Sequence, residues 1–160
     1  MSILAHLLVA AVAATAEFCV NPIDGGVGEP DLCRLDASQE IETPFFSITV
    51  EPEFLVGVDR DGRRMLLTPS YRQSPVNMQI EVVDGAATPD WPDCPQVTES
   101  VEENVTWQDC RLSREGSHER RLAAKLRDRV VLIEYSYATA GTAFAPALER
   151  MTQSVRIKAM

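Results

Sequence analysis

A chain of 160 residues, 45% of them hydrophobic, has room for one well-packed domain. Its net charge of −9, with no concentrated basic patch, argues against a nucleic-acid partner. Two histidines, His6 and His118, are too few for a histidine-ligated metal site, and no Cys-x-x-Cys spacing suggests a zinc ribbon or redox centre. No cofactor is expected. The charge is also uneven: residues 17–109 hold five arginines against nineteen acids, whereas residues 110–160 hold ten Lys and Arg against five. Such a chain is expected to set an acidic face against a basic one.

In chain order, Ile3 to Ala14 is almost wholly apolar and ends in Ala14-Thr15-Ala16, the small-x-small pattern that a signal peptidase cleaves. The run is too short to span a bilayer, so residues 1–16 read as a signal peptide and no stable membrane anchor is expected. It departs from the pattern in having no Lys or Arg ahead of the apolar residues. Cys19 follows Glu17-Phe18 rather than small residues, which argues against lipid attachment. The expected destination is the periplasm or the medium.

Residues 17–44 read as an irregular N-terminal arm, since Asn21-Pro22, Gly25-Gly26, Gly28 and Pro30 are turn formers without a period. Gly25-Gly26-Val27-Gly28 lacks the Lys-Ser/Thr that a phosphate loop needs. The four cysteines, Cys19, Cys33, Cys94 and Cys110, all follow the proposed cleavage point. Three pairings are possible, and the two local ones, Cys19–Cys33 and Cys94–Cys110, are favoured. Each closes a loop of about 15 residues, worth roughly 3 kcal/mol in the chain-entropy model.

A single domain is expected over 45–160. Phe46, Ile48 and Val50 alternate with Ser47 and Thr49, and Pro52 ends the run. Leu55–Val58 and Met65–Thr68 flank a hairpin with Asp61-Gly62 at its tip. A calcium loop numbered from that glycine would put Gly57 and Thr68 where acidic ligands belong, so the piece reads as a turn. Val76, Met78, Ile80 and Val82 make a fourth alternating run. Residues 86–104 look least regular, and Asn104-Val105-Thr106 has the pattern of a glycosylation acceptor.

Three further strands are expected at 105–113, 119–126 and 130–137. The second also fits a helix through Leu122, Ala123, Ala124 and Leu126, but the tight Arg127-Asp128-Arg129 break favours a hairpin. Val130 to Ile133 is apolar on both faces, as a buried strand should be. Phe144, Leu148, Met151 and Val155 form one stripe of a helix over 143–154, and Val155-Arg156-Ile157 closes as a short strand. The fold class is therefore α+β, an antiparallel sheet of about six to seven strands with a C-terminal helix on one face.

Phe46-Ser47-Ile48-Thr49-Val50-Glu51-Pro52-Glu53-Phe54 resembles the opening strand of Mog1/PsbP-like domains, where an alternating strand runs into a proline and an aromatic. The ending is similar too: a strand with tyrosines, a short break, then Phe144, Leu148, Met151, Ser154, Val155 and Arg156. The resemblance covers residues 45–158. It implies an α-β-α sandwich around an antiparallel sheet, and a binding or accessory role rather than catalysis. Glu51 is an extra residue before the proline, and no helix is evident in 86–104, where such domains often have one.

Catalytic candidates are few. His118, the one histidine after the signal peptide, would have to serve any Ser-His-Asp triad, yet it lies among Glu119, Arg120 and Arg121. Glu134 interrupts the central apolar strand, where burial would raise its pKa and suit acid–base work; pairing with an arginine or with solvent is the simpler reading. No catalytic, cofactor-binding or metal-ligating residue is assigned. The expected function is that of an exported binding protein acting through its surface: an accessory subunit, or a periplasmic inhibitor or immunity protein. Its partner is expected to be a protein, and the acidic surface suits a basic one. The alternatives are a small secreted hydrolase using carboxylates such as Glu134 and, more weakly, a carrier of a small ligand or lipid. If the leader is removed, intact mass of exported material begins at Glu17; a full-length cytoplasmic product would show otherwise.

Overall fold

A computed structural model describes residues 22–23, 32–70, 76–85 and 87–158. The expected signal peptide, the expected start at Glu17 and Cys19 lie outside these residues. The strands in chain order are β1 (Pro22–Ile23), β2 (Leu32–Arg34), β3 (Gln39–Glu42), β4 (Phe46–Val50), β5 (Phe54–Val58) and β6 (Arg64–Pro69). They continue with β7 (Val76–Asp84), β8 (Val97–Glu102), β9 (Val105–Arg114), β10 (Ser117–Lys125) and β11 (Arg129–Ala138). A 3₁₀ turn (Thr139–Phe144), helix α1 (Ala145–Ser154) and β12 (Arg156–Ile157) complete the order. The strands form a nine-stranded sheet, β1-β2-β5-β6-β7-β11-β10-β9-β8, and a three-stranded sheet, β12-β4-β3. The pairings are antiparallel.

The strand β11 is central, as its two-sided apolar run requires: Val130, Val131 and Ile133 are buried between β7 and β10. Ile133 sits opposite Ile80 on one side and Leu122 on the other, and Val131 opposite Val82 and Ala124. Directly opposed residues share a sheet face, so these side chains build one apolar surface. The ambiguous segment 118–126 is a strand, paired on both sides along its length. Its hairpins decide the matter: Gly116 adopts φ 79°, which only glycine takes freely, and Leu126 N–H closes on Arg129 O at 2.9 Å. At the Asp59–Arg64 turn, Asp59 accepts from the Arg63 amide at 2.7 Å, so its carboxylate caps the turn.

The layers differ from the expectation in four respects. First, β4 leaves the large sheet and becomes the middle of the small one, with Phe46, Ser47, Ile48 and Val50 all buried. The chain crosses between sheets at Glu51-Pro52-Glu53, where Phe54 N–H bonds Glu51 O at 3.0 Å and Pro52 has no donor to continue a ladder. Second, residues 32–44 are not irregular: β2 and β3 bury Cys33 and Ile41, and Leu35 follows. Strands of three and four residues are too short to show a period. Third, the acidic stretch 97–102 is a strand, β8, exposed at all six positions. It returns to β9 through Glu103 and Asn104, both at positive φ (47° and 69°), in a two-residue turn of the type I′ kind. Fourth, α1 is the sole α-helix among the described residues. The second helical layer that the resemblance implies is not seen there.

The helix itself forms two residues later than expected. Pro146 sits in its first turn, where a missing N–H costs nothing, and the preceding turn is 3₁₀. Ala147, Leu148 and Met151 are buried and Val155 follows them, while Phe144 meets the Phe54 ring edge-on at 5.8 Å. The stripe packs between the small sheet and the apolar face of the large one in a single core. Arg129, only 3% exposed, donates to Lys158 O at 2.8 Å and stacks on Phe45, which ties the segment after β12 to the sheet. Truncating Leu148 to Ala should cost about 2–5 kcal/mol through lost transfer energy and a cavity. Arg150→Ala, which breaks only an exposed pair with Glu51, should leave the unfolding midpoint nearly unchanged. Urea denaturation of both variants checks the order.

Candidate functional site

The register of β9, β10 and β11 carries a second set of in-phase residues beyond the apolar ones. Arg120 lies opposite Arg111 and Tyr135, His118 opposite Ser113 and Tyr137, and Leu122 opposite Asp109. All face α1, and the helix lowers Glu149 onto them. Arg120, its side chain 12% exposed, donates two hydrogen bonds to Asp109 (3.0 and 2.7 Å) and one to Glu149 (2.7 Å). The Tyr135 hydroxyl donates to the other oxygen of Glu149 at 2.6 Å. Arg111 sits at the rim, 3.5 Å from Glu149 and 3.7 Å from Asp109.

Burial works against the charge on Arg120, but the hydrogen bonds and charge of Asp109, with the charge of Glu149, outweigh it and raise its pKa. Burial first, then the bond to Glu149 and its negative charge, push the Tyr135 phenol above its ordinary range. Tyr135 is therefore a neutral donor at any physiological pH, and both carboxylates of the cluster are already engaged. A cavity of about 110 Å³ opens beside it, walled by Ser113, His118, Tyr137 and the cluster itself. Ser113 Oγ and His118 Nδ1 are 3.1 Å apart, and the imidazole stacks on Tyr137 at 5.0 Å. Both residues are exposed, and no carboxylate among the described residues orients the imidazole. The arrangement can hold a helix on a sheet and bind a small polar group; it lacks the orienting acid of a triad.

The other candidates lie on the opposite face of the sheet. Glu134 is half-buried and accepts from Gln79 Nε2 at 2.8 Å; its cross-strand neighbour Arg121 turns instead to Glu119 and Asp93. Cys94 and Cys110 form the expected disulfide. It pins the Trp91–Cys94 turn to this face, where Asp93 accepts from Arg121 (2.8 and 3.2 Å) and Arg114 (2.9 Å). These bonds, Arg121 foremost, hold the Asp93 carboxyl below its usual range. Cys33 is buried in β2, and its expected partner Cys19 lies outside the described residues. At the sheet margin, Glu99, Glu102 and Glu103 are exposed and form no ion pair with any described residue.

Asp109, Arg120, Tyr135 and Glu149 were not singled out from the sequence. A signal was present. Asp109 and Arg111 are in phase with Val105 and Trp107, and Arg120 with Leu122 and Ala124, so polar groups recur on an inward face. Removing Glu149 leaves a largely buried guanidinium and a phenol without one acceptor. Glu149→Ala should therefore cost about 1–3 kcal/mol, well above Arg150→Ala. The raised folded-state pKa of Tyr135 adds stability that is complete below pH 10.0, its ordinary value, and is lost as pH rises beyond it. Stability measured from pH 8 to about 11 should fall less steeply in Tyr135→Phe than in the parent.

No protein-family model and no curated protein matches the sequence. Among solved structures, the solution structure of cyanobacterial PsbP (CyanoP) from Synechocystis sp. PCC 6803 is similar at a TM-score of 0.57 and 9% identity. The match covers 85% of this chain and 98% of that one. A crystal structure from Bacteroides thetaiotaomicron VPI-5482 matches at a TM-score of 0.49 and 12% identity, over 78% of this chain and 50% of the other, too distantly to add to the comparison. The Mog1/PsbP-like resemblance read from the opening strand and the C-terminal helix thus holds at the level of the fold: mostly antiparallel sheet with one C-terminal helix.

Proposed function

We propose that this chain is an exported, non-enzymatic binding module that acts through its surface on a protein partner, as an accessory subunit or a periplasmic inhibitor or immunity protein. The observation that carries the reading is the contrast between its two groups of carboxylates. Asp109 and Glu149, in the one enclosed polar cluster described above, are held by Arg120, whereas Glu99, Glu102 and Glu103 stand exposed without cations at the sheet margin. An enzyme needs a free acid or base in its cleft; a binding surface needs free charge outside it. The apolar leader and the Cys94–Cys110 disulfide support export. The PsbP-like fold supports an accessory role. The bond from Gln79 to Glu134 lends nothing to a hydrolase.

The test has two arms. Immobilised protein is expected to retain a stoichiometric partner from the exported fraction of its own host at low ionic strength and to release it near 0.5 M salt. It is expected to show no turnover of ester, glycoside, phosphoester or peptide substrates. Turnover that disappears in Glu134→Gln, with no partner retained, would replace this reading with the hydrolase.

A further inference from the structure

The outer edge of β8 is the most open feature of the described surface. It ends the nine-stranded order, and it is six residues long with every residue exposed, Val101 at 72% and Val97 at 40%. Alternate residues of an antiparallel edge turn N–H and C=O groups away from the sheet, ready to pair with another chain. Proteins usually blunt such edges with brevity, proline or lysine. The other end of this sheet is β1, of two residues. By contrast, β8 has neither proline nor lysine; its only charges are Glu99 and Glu102, which disfavour a like-charged edge but not a basic one.

Two grooves flank it on the face toward α1. One, of about 420 Å³, is lined by Pro95, Gln96, Thr98, Asp109 and Arg111. The other, of about 650 Å³, has apolar walls from Val105, Trp107, Val155 and Ile157, with Glu102 and Glu103 on one side and Arg156 on the other. Thr98 and Glu102 reach them from the same face of β8, with the small Ser100 between, a span of about 14 Å along the strand. A strand laid against β8 would drop side chains four residues apart into the two grooves.

Charge selects the occupant. Between Ala87 and Cys110 the sequence has neither lysine nor arginine, and four of its six acids, Asp90, Glu99, Glu102 and Glu103, have no ion pair among the described residues. The cations nearest the grooves are Arg111 and Arg156 at their walls. A second copy of this chain, itself at −9, would bring two acidic edges side by side at strand spacing. We propose that β8 takes up an extended, basic segment of another protein as an added strand, with alternate side chains seated in the two grooves. This rests on the protein-binding reading and names the chemistry of the partner.

The probe is a synthetic nonapeptide alternating lysine and valine, titrated into ¹⁵N-labelled full-length protein. The expected result is that amide shifts concentrate in Val97–Glu102 and around Trp107. Methylating alternate peptide nitrogens, which keeps the charge but removes the donors, should weaken binding at least tenfold. Glu99→Lys with Glu102→Lys should do the same while leaving the spectrum of the free protein folded. Equal binding of the methylated peptide, or shifts that map elsewhere, would overturn strand addition. So would a monomer–dimer equilibrium abolished by Ser100→Pro, which would assign the edge to a second copy. A host partner still retained by the double lysine variant would overturn the edge as its site while leaving the protein-binding reading intact.

Discussion

The architecture follows from a mismatch of widths. Nine strands about 4.8 Å apart make a sheet roughly 38 Å wide, whereas a helix of ten residues is about 15 Å long and 10 Å across. One helix cannot cover such a face. On one side of it the shortfall is met by the small sheet, whose β4 buries Phe46, Ile48 and Val50 in the same core as Met65, Ile80 and Leu148. On the other side no element of the described residues follows, and the face turns polar. Along β9 it does so through Asp109, Arg111 and Ser113, in phase with the apolar Val105 and Trp107.

Arg120 marks the border between those regimes. It sits where the apolar face ends, and it joins β9, β10 and α1 through Asp109 and Glu149. A paired charge so little exposed contributes less to net stability than its short bonds suggest, because two ions must be stripped of water. Removing one partner is costly for the same reason. The useful consequence is geometric: the helix is fixed in rotation as well as in position. The same logic governs the charge asymmetry. Cations of the C-terminal third meet acids from earlier in the chain, as in Arg150–Glu51, Lys158–Glu42, Arg121–Asp93 and Arg120–Asp109. The two halves therefore neutralise each other across the fold more than they form opposed faces. Among the described residues, Asp36, Glu40, Glu53, Asp61 and Glu81 stand exposed without an ion pair, as do Glu99, Glu102 and Glu103, which are grouped at the β8 margin.

The two ends of the large sheet differ in cover. Around β4 to β7 the small sheet and α1 close the apolar face. The uncovered end combines an open strand edge, two grooves and unneutralised glutamates, held in register by the Cys94–Cys110 disulfide and the Asp93–Arg121 pair beneath. The sheet margin is left open by α1, which packs against β4 and β11 rather than against β8.

Burial periodicity made several elements legible in the sequence. The two-sided run Val130–Ile133 identified the central strand, and the spacing of Leu148 and Met151 identified the covering helix, because each reports directly which side chains leave water. The local pairing of Cys94 with Cys110 needed only loop length. Other features depended on partners distant in sequence. Strand β8 buries nothing, so no period could reveal it; hydrogen bonds to β9 alone make it a strand. β4 has the same alternation whichever sheet it joins, and its place was decided by β3 and β12. Glu149 reads as solvent-facing from its own helix and turns inward because Arg120, twenty-nine residues earlier, waits there. Local sequence determined which faces are apolar; long-range pairing decided which sheet, which edge and which charges those faces would meet.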